Sequence, residues 1–101
     1  MSQPIYKLWL MKRPTEAYFQ LSEAERDQHF AKLEKALEEV GGKMLIFCDS
    51  AWSSEQWQAF GVEEYPNIEA VQKLTAIHEE INHFRYLESM TVLGTKSDFE
   101  S

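Results

Sequence analysis

The stretch Leu21–Asp49, LSEAERDQHFAKLEKALEEVGGKMLIFCD, decides the fold of this chain. It opens with Ser22 and Glu25, spaced as a capping box in which each side chain satisfies the other residue's backbone N–H. Phe30, Leu33, Ala36, Leu37 and Val40 then recur at helical spacing, and Gly41-Gly42 supplies a left-handed exit. The period changes at once. Lys43–Asp49 carries Met44 to Cys48 as an unbroken apolar run, which reads as a strand. A long amphipathic helix delivered straight into a strand puts the chain in the mixed α+β class.

Upstream of this stretch, Ile5–Met11 reads as a strand with Ile5, Lys7, Trp9 and Met11 on one face and Tyr6, Leu8 and Leu10 on the other. Both faces are largely apolar, so both need cover. Pro14 blocks continuation, and Thr15–Gln20 suits a short helical turn. Downstream, Ala51–Glu55 is turn-like. Gln56–Tyr65 is expected as a third strand, with Gly61 as a candidate bulge. Asn67 caps a second helix with the stripe Ala70, Val71, Leu74, Ile77 and Ile81. Phe84–Gly94 is expected as the last strand. Residues 1–96 make one domain in this reading, and 97–101 a flexible polar tail.

The order βαββαβ is a ferredoxin-like signature. It predicts a four-stranded antiparallel sheet in the order 4-1-3-2, with two helices on one face. The second strand falls at a sheet edge, yet Met44–Cys48 has no charge or proline to deter pairing. The face away from the helices also needs cover, and a second copy of the chain supplies it economically, so a homodimer is expected.

Composition narrows the partners. With 101 residues there is no room for a second core of comparable size. Apolar residues at 44% exclude a disordered chain. The net charge of −7 and the scattered lysines and arginines argue against nucleic acid and anionic lipid. Cys48 is alone, which rules out an internal disulfide and a thiolate zinc cluster. Met1–Leu10 lacks a signal-peptide apolar segment and no apolar run is long enough to span a membrane, so no membrane partner and a cytoplasmic location are expected.

Three polar side chains stand out. Around the first helix, Arg26 and His29 fall among the apolar stripe rather than on the charged face; on the second helix His78 falls between Val71 and Leu74, while His83 is placed on the solvated side. In a βαββαβ layer the first helix starts where the second ends, so Arg26, His29 and His78 are expected to converge. They are the candidate catalytic residues, with Arg26 pairing an anion and an imidazole moving a proton. Trp9, Trp57 and Tyr86 are candidates to line the same mouth with Met11, Cys48 and Phe84, and Tyr18 or Phe19 to close it. The ligand this suits is small, and planar or aromatic.

The same residues also suit purely structural roles. His78 then is an edge histidine satisfied by a carbonyl or water, and Arg26 and His29 reach past the helix end into solvent. The adjacent pairs Glu63-Glu64 and Glu79-Glu80 diverge on their elements and read as solvated faces. The His78–His83 spacing does not suit a metal pair on one helical face, and neither metal nor cofactor is expected. No phosphate-binding glycine loop or serine nucleophile elbow occurs.

The element order, the Leu21-Ser22-x-x-Glu25-Arg26-x-x-His29-Phe30 helix opening and the Phe84-Arg85-Tyr86 segment leading to Leu93-Gly94 together resemble the dimeric α+β barrel superfamily. That superfamily includes antibiotic-biosynthesis-type monooxygenases and YciI-like proteins. The resemblance covers Ile5 to about Lys96. It implies a homodimer whose two sheets close into a barrel, with a small-molecule cleft between each sheet and its helices. Its members do unrelated chemistry. Two readings therefore stand: cofactor-independent, monooxygenase-like or isomerase-like proton transfer, or a non-catalytic ligand-binding or structural dimer.

Overall fold

The computed structural model describes residues 3–100. Its strands are β1 (Ile5–Met11), β2 (Lys43–Asp49), β3 (Ala59–Tyr65) and β4 (Ser89–Gly94). The helices are α1 (Glu16–Phe19), α2 (Glu23–Glu39), α3 (Ile68–Glu80) and α4 (His83–Tyr86), and a 3-10 turn covers Asp98–Glu100. The strands form one antiparallel sheet in the order β2-β3-β1-β4, the predicted arrangement.

Local chemistry explains the helix limits. Ser22 Oγ accepts from the Glu25 amide at 3.1 Å and Glu25 Oε1 accepts from the Ser22 amide at 2.9 Å, so the capping box is complete. At the other end Gly41 adopts φ 80°, and the amides of Gly41 and Gly42 donate back to Glu38 and Leu37. That pair of bonds closes the helix in a Schellman turn. For α3, Asn67 Oδ1 accepts from the Ala70 amide at 2.9 Å.

Strand register assigns the two sheet faces. Ile5, Lys7, Trp9 and Met11 lie opposite Tyr65, Glu63, Gly61 and Ala59, and the buried positions of β3 alternate on that side. This face meets the helices. Its apolar core is small: Ala36, Val40, Tyr65, Ala70, Val71 and Leu74, backed by Ile5, Leu37 and Ile77. The opposite face presents Leu8, Leu10, Phe60, Val62, Ile46 and Val92, the last two about half exposed at 52% and 53%. The chain forms a slab only 16 Å thick, the depth of one sheet and one helical layer.

Several expectations need correcting. Phe84–Tyr86 is helical, because Asn82 takes a left-handed φ of 58° and turns the chain. Thr15 then pins that turn, donating its amide to Tyr86 O at 2.9 Å and its hydroxyl to Arg85 O at 2.7 Å. The last strand consequently starts at Ser89. The third strand starts at Ala59 rather than Gln56, since Trp57 and its neighbours close a loop in which the Trp57 amide donates to Ser54 Oγ. The bulge lies in β2 between Met44 and Ile46, not at Gly61. Gly61 instead leaves room for the Trp9 indole, which a Cβ there would approach to 2.6 Å. Of the tail, Asp98–Glu100 forms its short turn, while Ser101 lies outside the described residues.

Candidate functional site

A polar cluster is built into the layer between helices and sheet. At the sheet, Lys7 of β1 and Glu63 of β3 are register partners, each 9% exposed, with Lys7 Nζ 4.0 Å from Glu63 Oε1. Tyr65, fully buried, donates its hydroxyl to the same carboxylate oxygen at 2.5 Å. Burying charge is costly unless it is paired, and here one carboxylate serves both an ammonium and a phenol. Burial, and then the hydrogen bond to Glu63, push the Tyr65 hydroxyl well above its ordinary range, so it stays a donor.

Three imidazoles complete the cluster from the helix side. His29 of α2 is buried, and its Nε2 shares a hydrogen bond of 3.0 Å with Nδ1 of His83. Their rings stack at 5.2 Å. His78 of α3 sits against His83 with ring centroids 4.7 Å apart. Tyr86 packs edge-on to His29 at 5.1 Å. One nitrogen of the His29–His83 bond must accept, so the two rings cannot both be imidazolium with this bond intact.

Electrostatics keeps all three neutral near pH 7. Burial, reinforced by Lys7 and then His29, lowers His78 to about 4. Burial, followed by its neighbours His78, His29 and Lys7, lowers His83 to about 3. His29 is lowered too, first by burial and then by Lys32. Lys7 is itself lowered by burial, with Glu63 opposing the shift. Neutral imidazoles can donate and accept hydrogen bonds near pH 7, and His78 and His83 take up a proton only well below it.

The predicted site residues divide by place. His29, His78 and Tyr86 come together around His83. Arg26 belongs to a second group: its Nη2 donates to Phe19 O at 3.0 Å and its guanidinium lies over the Tyr18 ring at 5.0 Å, which fastens α1 to the start of α2. Tyr18 also packs on Phe30 at 6.2 Å. Trp9 turns along the helix face toward β2 and meets Phe47 edge-on at 5.3 Å. Trp57 lies in the β2–β3 loop beneath the Lys12 ammonium, 5.9 Å away. Cys48 pairs with Phe60 and faces the open side of the sheet, away from the helices.

Sequence reasoning missed three members. Helical periodicity carried through His83 assigns it to solvent, but α3 ends at Glu80 and the left-handed Asn82 swings His83 back against His29 and His78. Asparagine is a common residue for that conformation, so Asn82 was the available signal. Glu63, one of an adjacent acidic pair, reads as solvated in the sequence, whereas the structure pairs it with Lys7 and buries it. Lys7 itself was one charge on an otherwise apolar face. Among the described residues no group of three histidine, cysteine, aspartate or glutamate side chains is arranged to hold a metal ion. An open groove of about 790 Å³ runs between α3 and β4, bounded by Ile68, Val71, Thr75, Glu79 and Leu93, and the imidazoles are not among its walls. No described helix is long and apolar enough to cross a membrane.

Comparison with known proteins places the fold alone. No protein-family model matches the sequence, and no curated protein is significantly similar to it. A solved protein of unknown function from Rhodopseudomonas palustris superposes with a TM-score of 0.68 at 16% identity, covering 97% of this chain and 85% of that one. A hydroxynitrile lyase from Passiflora edulis gives 0.59 at 9% identity, with 97% of each chain covered. A 30S ribosomal protein from Thermotoga maritima gives 0.54 at 17% identity, covering 98% of this chain and 92% of that one. At such identities the shared property is the α+β ferredoxin-like fold, which the sheet order and helix placement here also display.

Proposed function

We propose that this chain acts as a homodimer that holds a small planar or aromatic molecule between sheet and helices, and that His29, His78 and His83 move protons on that molecule in cofactor-independent chemistry of the monooxygenase or isomerase type. The observation that carries this reading is the cluster itself. A domain with a small apolar core has placed Lys7, Glu63, the Tyr65 hydroxyl and three imidazoles where each costs stability, in the layer that should otherwise be its driest. His78 is half-buried and makes no hydrogen bond to another described residue, which leaves its ring lone pair unengaged. A hydroxynitrile lyase shares the fold, which makes small-molecule chemistry compatible with the scaffold.

Area supports the dimer. The protomer exposes 7199 Å², whereas a compact monomer of this mass exposes roughly 5,900 Å². The excess of roughly 1,300 Å² exceeds the roughly 800 Å² that each partner hides in a standard interface. The open face, with Leu8 central between Val62 and Val92, is the apolar surface that a second copy covers. The dimeric α+β barrel is the assembly this geometry suits.

Native mass spectrometry of freshly purified protein reports subunit number and retained ligand together. The expected species is a dimer, reduced to monomer by Leu8→Lys. A strictly monomeric wild type at micromolar concentration rejects the assembly. Proton transfer is tested separately by titrating a panel of aromatic ketones and phenols while following the imidazole Cε1–H resonances by NMR, then measuring solvent-deuterium incorporation into those that bind. Exchange is expected in the wild type and lost in His78→Gln. A panel that leaves every imidazole resonance unmoved overturns the site.

A further inference from the structure

We propose that α1 and α4 together form a lid over the imidazoles, fastened by side chains of α2, and that the lid swings open as one unit to let a molecule reach His29 and His78. The inference rests on the proposed ligand site between helices and sheet, and it names how that site is entered.

The imidazole cluster is closed to solvent on the His29 side. His29 is 6% exposed, and the groove between α3 and β4 does not reach the imidazoles. A molecule that meets the His29 ring must therefore displace something packed on it. His83 stacks on that ring at 5.2 Å and Tyr86 meets it edge-on at 5.1 Å, and both belong to α4.

Burial marks the part that can move. α1 and α4 have four residues each and neither contains a buried one, whereas α2 buries His29 and Ala36 and α3 buries Ala70, Val71 and Leu74. Segments with few buried contacts open at a fraction of the global unfolding free energy. Asn82, at φ 58°, is the pivot between α3 and α4, and Leu87, 5% exposed, anchors the far end. Residues at element ends absorb the backbone rotation of a hinge.

Polar contacts hold the lid shut. Thr15, the N-cap of α1, joins the two halves, its amide donating to Tyr86 O at 2.9 Å and its hydroxyl to Arg85 O at 2.7 Å. From α2, Arg26 Nη2 donates to Phe19 O at 3.0 Å beneath α1, and His29 Nε2 shares its 3.0 Å bond with His83 Nδ1 of α4. One α2 side chain thus latches each half, and the Thr15 tie makes the opening of either half the opening of both. The closed lid is also incompletely satisfied, because Arg26 Nε is buried there without an acceptor. An unpaired buried donor destabilises the arrangement that buries it, and opening returns it to water.

Amide hydrogen exchange of the intact wild-type protein, followed by NMR near pH 7, measures the opening. The amides of Thr15, Gln20 and Leu87 are hydrogen-bonded to Tyr86 O, Glu16 O and His83 O in the closed lid. Relative to their intrinsic rates they are expected to exchange at least about a hundredfold faster than Leu74 inside α3. Arg26→Met removes the latch on α1, and is expected to speed exchange about tenfold at Leu87 as well as at Gln20 while leaving Leu74 unchanged. Diethyl pyrocarbonate acylates neutral imidazole, and peptide mass spectrometry is expected to show His29 modified faster by the same factor. Lid amides that exchange only with global unfolding in the wild type, Arg26→Met acting on Gln20 alone, or faster lid exchange with no change at His29 each overturn the inference. The first is read on the wild type, so a variant that fails to fold does not rescue the idea. None of these measurements involves the proposed ligand, so the proton-transfer reading stands or falls on its own titration.

Discussion

Replacing Glu63 by glutamine isolates what the buried ion pair does. The substitution keeps size, and its amide oxygen still accepts from the Tyr65 hydroxyl, so the change removes one negative charge and little else. Lys7 then faces the helix layer with no counter-charge. Breaking a buried pair by neutralising one partner costs about 3–5 kcal/mol when the pair is in tight contact; a 4.0 Å separation without a direct hydrogen bond lowers the expected loss to about 2–3 kcal/mol. The loss also has a ceiling. A lysine that cannot be accommodated as a cation releases its proton instead, at about 1.4 kcal/mol per pH unit below its ordinary value, so from 10.5 to about pH 7 the penalty cannot exceed about 4.8 kcal/mol.

That ceiling gives the prediction its signature. Lys7 is lowered by burial in the wild type, and losing Glu63, which opposes the shift, lowers it further. Between the folded and unfolded values the unfolded chain holds the extra proton, so stability rises with pH in that window, and it rises over a wider window in the variant. The gap between wild type and Glu63→Gln should therefore shrink as pH is raised from about 7 toward 10. Urea unfolding at fixed protein concentration across that range measures it. A loss under about 1 kcal/mol at pH 7, or a gap that stays constant with pH, refutes the claim that Lys7 is a buried cation held by Glu63.

Three further outcomes are expected. Gly61→Ala places a Cβ 2.6 Å from Trp9 Cζ2 and 2.9 Å from the Ile46 carbonyl, and because the latter is backbone the strain cannot be relieved by a rotamer alone; a loss of about 1–3 kcal/mol in urea unfolding is expected. His78 titrates near 6.5 when unfolded and about 4 when folded, so the unfolded state binds the proton first and stability falls as pH drops through that window; His78→Gln should flatten this acid limb by up to one proton, read from the pH dependence of unfolding. If folding and pairing are coupled through the open face, apparent stability should rise by about 1.4 kcal/mol for each tenfold increase in wild-type concentration and not at all in Leu8→Lys, which scans at several concentrations resolve.

What was legible in the sequence was what is local. The capping box at Ser22 and Glu25, the Gly41-Gly42 exit, the Asn67 cap and the alternation of Ile5–Met11 are each set by residues within a turn or two, and each stands in the structure as read. The sheet order followed, because few topologies satisfy that element order. The site was harder. His29 and His78 were visible as polar residues on apolar stripes, but Lys7 and Glu63 meet only through a strand register spanning 56 positions of chain, which no local pattern reveals. His83 was lost to a single left-handed residue, since one change of φ at Asn82 moves every later side chain onto a different face. Arg26 was placed on the right face of its helix, yet its reach carried the guanidinium back to α1 rather than toward the imidazoles.

The cluster and the open face are two halves of one energetic arrangement. Helices cover the sheet on one side only, and there the middle of β1 and β3 is given to Lys7 and Glu63 rather than to aliphatic side chains. The inner side therefore yields less hydrophobic stabilisation than its area suggests. The outer side holds what the inner side lacks: Leu8, Leu10, Phe60 and Val62 at the same central strands, with Ile46 and Val92 beside them. Because side chains alternate along a strand, each central residue must choose a face, and at the middle of the sheet this sequence sends Lys7 and Glu63 inward and Leu8 and Val62 outward. Such an inversion is tolerable only if the outer face is also withdrawn from water. In the proposed dimer a second copy would satisfy that need without touching the helices, and would leave the imidazoles free to meet the proposed ligand.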